Sequence, residues 1–316
     1  MWQVSDVALW QGRDDSLESP VAKRVFQTIK TASLWRPENA AGKVALLGFA
    51  SDAGVRRNLG RTGAAKAPPV LRQALANLAS HTSCFDLMDM GDIVCVADAL
   101  EAAQSECAQA VQQIHAHQGK TLIIGGGHET AFAHGSGLYE AYPNQHLAII
   151  NFDPHLDLRR HSLATSGTPF TQLAHLARQH NRVFDYTCIG ASRAANTAAL
   201  LQDAADLNVN VIWDTEVHWA NVASVLHTID DTLKRADVVY LSVDLDVLPS
   251  YQMPSVSAPA ALGISLDLLL YLVTPIVISG QLVGADVAEF NPEFDQCSQG
   301  ARVAARILWH VWQNWR

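Results

Sequence analysis

Seven short apolar runs, separated by longer segments of helical periodicity, constrain the fold of this chain more than any other feature. The runs are rich in β-branched residues, which is typical of buried parallel strands. Between them, residues 97–118 and 216–236 have the apolar spacing of amphipathic helices. Strand and helix alternate from about residue 43 to the end, which predicts an α/β fold with a mostly parallel sheet. In chain order the runs are KVALLGFA, TLIIGGG, LAIINFD, YTCIGAS, VNVIWD, VVYLSVDLD and LVGADVAEF.

No Pro/Ser/Gly-rich linker, internal repeat or low-complexity tract divides the chain, so residues 1–316 are predicted to form a single domain. Residues 1–40 precede the first apolar run, and we expect them to be an N-terminal extension packed on this domain, helical around 20–32. The C-terminal segment carries a tryptophan at every third position, Trp309, Trp312 and Trp315. That spacing predicts core packing or a subunit contact.

Composition excludes several classes of protein. The net charge is −9, with only 22 Lys and Arg residues and no basic run, which argues against nucleic acid as a partner. The longest apolar segment, LDLLLYLVTPIVISG, contains Asp267 and Pro275 and is too short to span a bilayer, so no membrane association is expected. The five cysteines are odd in number and lack metal-ligand spacing, which favours a reducing, cytoplasmic setting.

Three polar clusters directly follow three of the predicted strands: GGGHET (125–130), NFDPHLDLR (151–159) and SVDLDVLP (242–249). The carboxyl ends of parallel strands line the ligand crevice of an open sheet, so these clusters can converge on one place. Alternate residues of an extended chain point in the same direction. The acidic and histidine residues of the second and third clusters can therefore face one point, namely Asp153, His155, Asp157, Asp244 and Asp246.

Those residues would bring four carboxylates into one crevice, and each close pair would cost about 4 kcal/mol at 4 Å and an effective dielectric of 20. No basic residue in the motifs is placed to cancel this charge, whereas two divalent cations would do so. A donor set of imidazoles and carboxylates without thiolate suits Mn²⁺. A pair of such cations can generate hydroxide from water for hydrolysis.

Each cluster alone has a simpler interpretation. An isolated HxD at a strand end is typical of a hydrogen-bonded loop. GGGH could form a turn or a phosphate cradle, but a P-loop requires a following GK[ST], and His128, Glu129 and Thr130 stand there instead. All three clusters together, each at a strand end, favour a binuclear metal site.

The motifs GGGHE, DPHLD and SVDLDVLP resemble the signatures of the arginase/agmatinase (ureohydrolase) family, over about residues 43–310. The resemblance implies a three-layer α/β/α fold with about eight parallel strands and helices on both faces. It also implies homo-oligomers, trimers or hexamers, and two Mn²⁺ per subunit. The implied ligands are His128 and Asp157 for one ion, His155 and Asp246 for the other, and Asp153 and Asp244 as bridges.

Further segments resemble the branch of this family that acts on N-formimidoyl-L-glutamate. They are TSGTPF (165–170), GVRRNLGR (54–61), SVSAP (255–259) and the Arg159 that follows DPHLD. The resemblance of DVAEFNP implies that Glu289 holds the cationic nitrogen end of the substrate. Arginases carry a proton-transferring histidine where this chain has Ser166, so arginase activity itself is not expected and Ser166 is assigned to substrate binding.

The implied reaction is hydrolysis of N-formimidoyl-L-glutamate to L-glutamate and formamide, a late step of histidine degradation. Asp157 is expected to carry a proton to the departing nitrogen, and Arg159 to bind a substrate carboxylate. Arg57, Arg61 and Arg193 are further candidate counterions. Two alternatives remain open: an agmatinase or guanidinobutyrase, and a non-catalytic metal-binding member of the fold.

Overall fold

The computed structural model describes all 316 residues and contains ten strands and ten α-helices. None of the helices combines the length and hydropathy that crossing a bilayer requires. The strands are β1 (Trp2–Gln3), β2 (Lys30–Thr31), β3 (Val44–Ala50), β4 (Leu87–Val94), β5 (Lys120–Ile124), β6 (Leu147–Phe152), β7 (Asp185–Ala191), β8 (Asn210–Trp213), β9 (Val238–Asp244) and β10 (Leu282–Ala288). The helices are α1 (Val25–Thr28), α2 (Ala53–Arg57), α3 (Ala67–Ala76), α4 (Leu100–Ala116), α5 (Thr130–Ala141), α6 (Pro169–Gln179), α7 (Ala198–Asp206), α8 (Val222–Arg235), α9 (Leu266–Ile278) and α10 (Gln299–Asn314).

All strands belong to one sheet, in the order β1-β4-β3-β5-β10-β9-β6-β7-β8, with β2 also paired to β4. The eight strands from β3 to β10 are parallel to one another. This confirms the predicted sheet of about eight parallel strands. Two strands of two residues each bring the total to ten, and β1 is antiparallel to β4.

Helices cover both faces of the sheet, which confirms the three-layer architecture. In β3, Val44 and Leu46 belong to a core cluster of 47 buried residues, whereas Ala45 and Leu47 belong to a second cluster of 36. Residues of α3, α8, α9 and α10 complete the first cluster, and residues of α4 to α7 complete the second. Both faces are buried, which is why the strands read as continuous apolar runs.

The sequence analysis missed strand β4, LMDMGDIV, because two aspartates and a glycine interrupt its apolar pattern. Asp89 is fully buried, and its carboxylate accepts hydrogen bonds from the guanidinium of Arg72 at 3.0 and 2.9 Å. Arg72 also donates to Asp92 at 2.7 Å. A buried charge is tolerated when it is paired and hydrogen-bonded in this way.

The N-terminal segment packs along this edge of the sheet. Ser5 Oγ and Trp10 Nε1 both donate to the Asp89 carboxylate, at 2.6 and 2.8 Å. The expected helix around residues 20–32 is wrong for most of that range. A single turn, α1, forms there and is followed by strand β2, because pairing with β4 competes with a short helix that has little apolar face of its own.

The tryptophans at the C-terminus of the chain hold helix α10 against the rest of the domain, in agreement with the core-packing interpretation. Trp312 and Trp315 are buried, and their indole N–H groups donate to the backbone carbonyls of Phe85 and Leu282, each at 2.9 Å. Trp309 is partly exposed and donates to Ala79 O at 2.6 Å. The indole bonds therefore tie the C-terminal helix to the neighbouring strands and loops.

Candidate metal centre

The three sequence motifs meet at the carboxyl ends of four neighbouring strands, β5, β10, β9 and β6. GGGHE follows β5 and DPHLD follows β6. In SVDLD, Asp244 is the last residue of β9 and Asp246 lies in the 3-10 turn that follows. The glycines let the first loop approach the adjacent one closely, since a Cβ on Gly126 would lie 1.7 Å from Ser51 O. Convergence of the motifs thus follows from the order of the strands.

His128 lies at the centre of a ring of carboxylates. Its Nδ1 atom is 2.9 Å from Asp157 Oδ2, 3.1 Å from Asp153 Oδ2 and 3.2 Å from Asp244 Oδ2. All four ligand atoms lie within 4.8 Å of one another. They are donor types that one divalent cation can bind together.

A second group of donors adjoins the first. His155 Nδ1 lies 3.4 Å from Asp153 Oδ1 and 3.3 Å from Asp246 Oδ2. The two oxygens of Asp153 therefore face the two histidines, which is the placement expected of a bridging carboxylate. Asp246 Oδ1 is buried and has no hydrogen-bond partner. An unsatisfied buried oxygen among these donors fits the site of a cation.

The protonation of the site reflects its excess of negative charge. Burial alone would lower the pKa of His128, but the Asp244 charge and hydrogen bonds to the other carboxylates raise this pKa well above its ordinary value. The pKa of His155 is likewise raised, against burial, by Asp246 and Asp153. Burial and the neighbouring acids raise the pKa of Asp244 well above its usual range. These shifts show how much negative charge the carboxylates concentrate around the two imidazoles.

Two acidic residues of the site have left-handed backbones. The φ angle is +49° at Asp157 and +68° at Glu289. Such a conformation costs a non-glycine residue about 1–3 kcal/mol and persists where the surroundings impose it, often at functional sites. Glu289 directly follows β10, and Asp157 lies in the loop after β6; the first bonds the backbone N–H of His128 and the second lies against its ring.

Glu289 directly follows β10 and lies beside the first donor group. Its Oε1 atom accepts the backbone N–H of His128 at 2.8 Å, while Oε2 is buried without a partner. Burial and the nearby charge of Glu129 raise the pKa of Glu289 to about 8. Glu289 therefore offers a buried oxygen that a cationic donor could satisfy.

A cavity of about 320 Å³ opens above this floor of acidic residues. Arg159 lines it, and the Arg159 backbone N–H is anchored to Gly167 O at 2.9 Å. The Arg159 guanidinium forms no ion pair within the chain, so it is free to bind an anion. Ser166 also lines the cavity, and its hydroxyl accepts a hydrogen bond from Asn58 Nδ2 at 3.2 Å. Acidic groups at the floor and a cation at the rim give the cavity opposite charges at its two ends.

The other candidate arginines are engaged elsewhere. Arg57 pairs with Glu101 at 2.6 Å and donates to Ala164 O, and Arg193 stacks on the ring of Trp213 at 3.9 Å outside this cavity. Arg61 lines the cavity, but its Nε donates to Ser257 O at 3.0 Å. Arg159 is therefore the arginine best placed to receive a carboxylate.

Sequence reasoning did not assign three residues that the structure brings to the site. Asn58 lies in the GVRRNLGR segment, residues 54–61, and lines the cavity. Glu129 is buried next to His128. Its Oε1 accepts hydrogen bonds from the Ser51 hydroxyl at 2.8 Å and from the Gly54 backbone N–H at 2.9 Å. The third is Ser242, whose hydroxyl lies 2.9 Å from His128 Nε2. A polar residue inside an apolar strand was the available signal for Ser242.

Comparison with known proteins identifies the family of this chain. The model of the Arginase family matches residues 42–312. The formimidoylglutamases of Photorhabdus laumondii and Klebsiella pneumoniae are each 50% identical to the chain, over 315 and 316 residues, covering 100% of it and 99% of the relative. A crystal structure of Trypanosoma cruzi formiminoglutamase with Mn²⁺ superposes with a TM-score of 0.79 at 26% identity, covering 93% of this chain and 98% of that one. The Bacillus subtilis formimidoylglutamase shares the fold, with a TM-score of 0.82 at 21% identity over 96% and 94% of the two chains.

The fold, the arrangement of acidic and histidine donors and the family match define one class: this chain belongs to the arginase family. It is an enzyme, a hydrolase, and within the family it is similar along its whole length to formimidoylglutamases.

Proposed function

We propose that this enzyme hydrolyses N-formimidoyl-L-glutamate to L-glutamate and formamide, a step of histidine degradation, with two Mn²⁺ per subunit. The observation that carries the proposal is the cavity with acidic donors at its floor and the unpaired guanidinium of Arg159 at its rim. A formimidoyl group is cationic and a glutamate tail is anionic, so a substrate of this class matches both ends. The named function of the relatives at 50% identity supports the same substrate.

The residues present fit two manganese ions. Oxygen-rich donors around two imidazoles, with an unsatisfied buried oxygen on Asp246, have the chemistry that Mn²⁺ prefers. When bound, the ions would supply a nucleophile generated from water at neutral pH. His128 and Asp157 would hold one ion, His155 and Asp246 the other, and Asp153 and Asp244 would bridge the two.

The chain's own residues would then bind and orient the substrate. Glu289 would hold the amidinium through its unpartnered Oε2 and keep that charge close as the carbon becomes tetrahedral. Arg159 would bind a carboxylate of the glutamate tail, with Ser166 beside it, and so fix the position of the reacting carbon. Asp157 would carry a proton to the departing glutamate nitrogen.

A coupled assay for glutamate release, with and without Mn²⁺, tests the proposal. We expect Mn²⁺-dependent release of equimolar glutamate and formamide from N-formimidoyl-L-glutamate. Release of urea from agmatine or guanidinobutyrate, without formamide from the proposed substrate, would instead identify the agmatinase-type alternative. Bound metal with no turnover of any linear amidine would identify a non-catalytic member of the fold.

We further place the enzyme in the cytoplasm and expect a homo-oligomer, a trimer or hexamer. All five cysteines are free thiols, which supports a reducing compartment. The oligomer is expected from the family resemblance, and light scattering of the purified protein measures it directly.

A further inference from the structure

A line of polar side chains runs through the otherwise apolar core beneath the metal centre. The strand register places Asp286 of β10 opposite Ser242 of β9, and Gly284 opposite both Tyr240 of β9 and Thr121 of β5. These positions lie on the sheet face that α4 and α5 cover. His134 of α5 and His115 of α4 reach into this polar patch from the helices.

Short hydrogen bonds join these groups into a continuous chain, which we call the polar relay. Its first half joins His128 Nε2 to Ser242 Oγ at 2.9 Å, Ser242 Oγ to Asp286 Oδ1 at 2.7 Å, and Asp286 Oδ2 to His134 Nδ1 at 2.7 Å. Its second half joins His134 Nε2 to Thr121 Oγ1 at 2.7 Å, Thr121 Oγ1 to His115 Nε2 at 3.0 Å, and His115 Nδ1 to Tyr142 Oη at 2.9 Å.

The chemistry of the donors fixes the direction of the bonds nearest the metal centre. As a carboxylate, Asp286 only accepts, so the Ser242 hydroxyl and His134 Nδ1–H both donate to it. The Ser242 oxygen is then available to accept the Nε2–H of His128. That proton position leaves Nδ1 of His128 to face the ring of carboxylates as a metal donor.

The fold accommodates this carboxylate at a cost. Asp286 is buried, and no lysine or arginine pairs with it, so its charge is compensated by hydrogen bonds alone, including one from Tyr240 Oη at 2.5 Å. Strand β10 also has a glycine, Gly284, two residues before Asp286. A Cβ on Gly284 would lie 2.6 Å from His134 Nε2, so the glycine makes room for the imidazole.

We propose that His134 is a positioning residue for the metal centre, acting through Asp286 and Ser242 on His128. Its Nδ1–H holds the Asp286 carboxylate in place, and that carboxylate orients the Ser242 hydroxyl that fixes the ring and tautomer of His128. The direct partner of a ligating histidine typically changes metal affinity by about 10–100-fold, and His134 acts on that partner, Ser242, through Asp286. The inference rests on the metal site of the proposed function, although not on its substrate.

Titration of the metal-free, full-length protein with Mn²⁺ by calorimetry tests this role. His134→Leu replaces the imidazole by an apolar side chain of similar size and so removes the donor, and we expect it to weaken Mn²⁺ binding by about tenfold. His134→Asn places an amide N–H near the position of Nδ1, and we expect it to restore affinity to within about threefold of wild type. His310→Leu is the matched control, because His310 is a half-buried histidine bonded to Thr274 at 2.9 Å on the other face of the sheet.

The outcomes separate the two proposals. If the wild-type protein binds no Mn²⁺, the metal centre itself is wrong. If wild type binds Mn²⁺ and folded His134→Leu binds it equally well, the positioning role alone is overturned. Nitrogen-15 NMR of histidine-labelled wild type gives a second readout that needs no variant: Nδ1 of His134 should carry a hydrogen-bonded proton, and an unprotonated Nδ1 would also overturn the role.

Discussion

His128 and Asp157 stand 29 positions apart in the sequence, yet Nδ1 of the histidine lies 2.9 Å from Oδ2 of the aspartate. The histidine follows β5 and the aspartate follows β6, which are separated in the sheet by β10 and β9. Both loops therefore bend over the two strands between them. The proposed metal centre depends on this meeting, and several expectations can be measured.

Removing a bridging carboxylate should abolish metal binding and turnover together. In Asp244→Ala, Mn²⁺ content should fall and kcat should drop by about three orders of magnitude, as expected when about 4 kcal/mol of charge stabilisation is lost. Metal analysis and the glutamate assay check both results on the same sample. A variant with full manganese content and wild-type rate would show that the ligands are wrongly assigned.

Arg159 should control affinity for the glutamate tail. Arg159→Leu removes a charge-assisted hydrogen bond worth about 1.5–3 kcal/mol, so KM for N-formimidoyl-L-glutamate should rise about 10- to 100-fold, with a smaller change in kcat. The neighbouring Arg160→Leu serves as the control, since Arg160 is exposed and pairs with Asp203. Equal KM values for the two variants would rule out the assignment of Arg159.

The buried ion pair between α3 and β4 should matter for stability. Arg72→Met leaves Asp89 buried without its cation, which should lower the free energy of unfolding by about 3–5 kcal/mol. Urea denaturation measures the change. Lys66→Met is the comparison, because Lys66 pairs with Glu293 at the surface, and it should leave the unfolding midpoint unchanged.

His115 should make stability fall in acid. Burial lowers its pKa to about 3, so between pH 6.5 and 3 the unfolded chain binds a proton that the folded protein does not. The contribution of neutral, buried His115 to the free energy of unfolding is therefore fully present above pH 6.5. It falls as the pH decreases, by about 2–3 kcal/mol at pH 4.5.

Unfolding measured from pH 7 to 4.5 should thus show a shallower slope in His115→Gln than in wild type. His117→Gln, two residues away and exposed, should keep the wild-type slope. Identical slopes in all three proteins would mean that His115 is not buried in its neutral form.

Most of the fold could be predicted from local pattern. Seven of the eight long strands are continuous apolar runs, because both faces of a parallel sheet are buried. Strand β4 was missed because Asp89 and Asp92 read as loop residues. The buried Asp89 carboxylate is satisfied by Arg72 of the preceding helix α3 and by Ser5 and Trp10 of the N-terminal segment, contacts that the local pattern does not reveal.

The residue types at the strand ends determined the character of the site: alternating Asp and His after buried strands require positive charge, and parallel strands bring their carboxyl ends to one edge. The sequence could not decide which arginine stays free, or that Asp286, Ser242 and His134 form one relay behind His128. Those outcomes depend on hydrogen bonds and ion pairs between segments far apart in the chain. Because such bonds act only over about 3 Å, they are decided by tertiary packing rather than by local pattern.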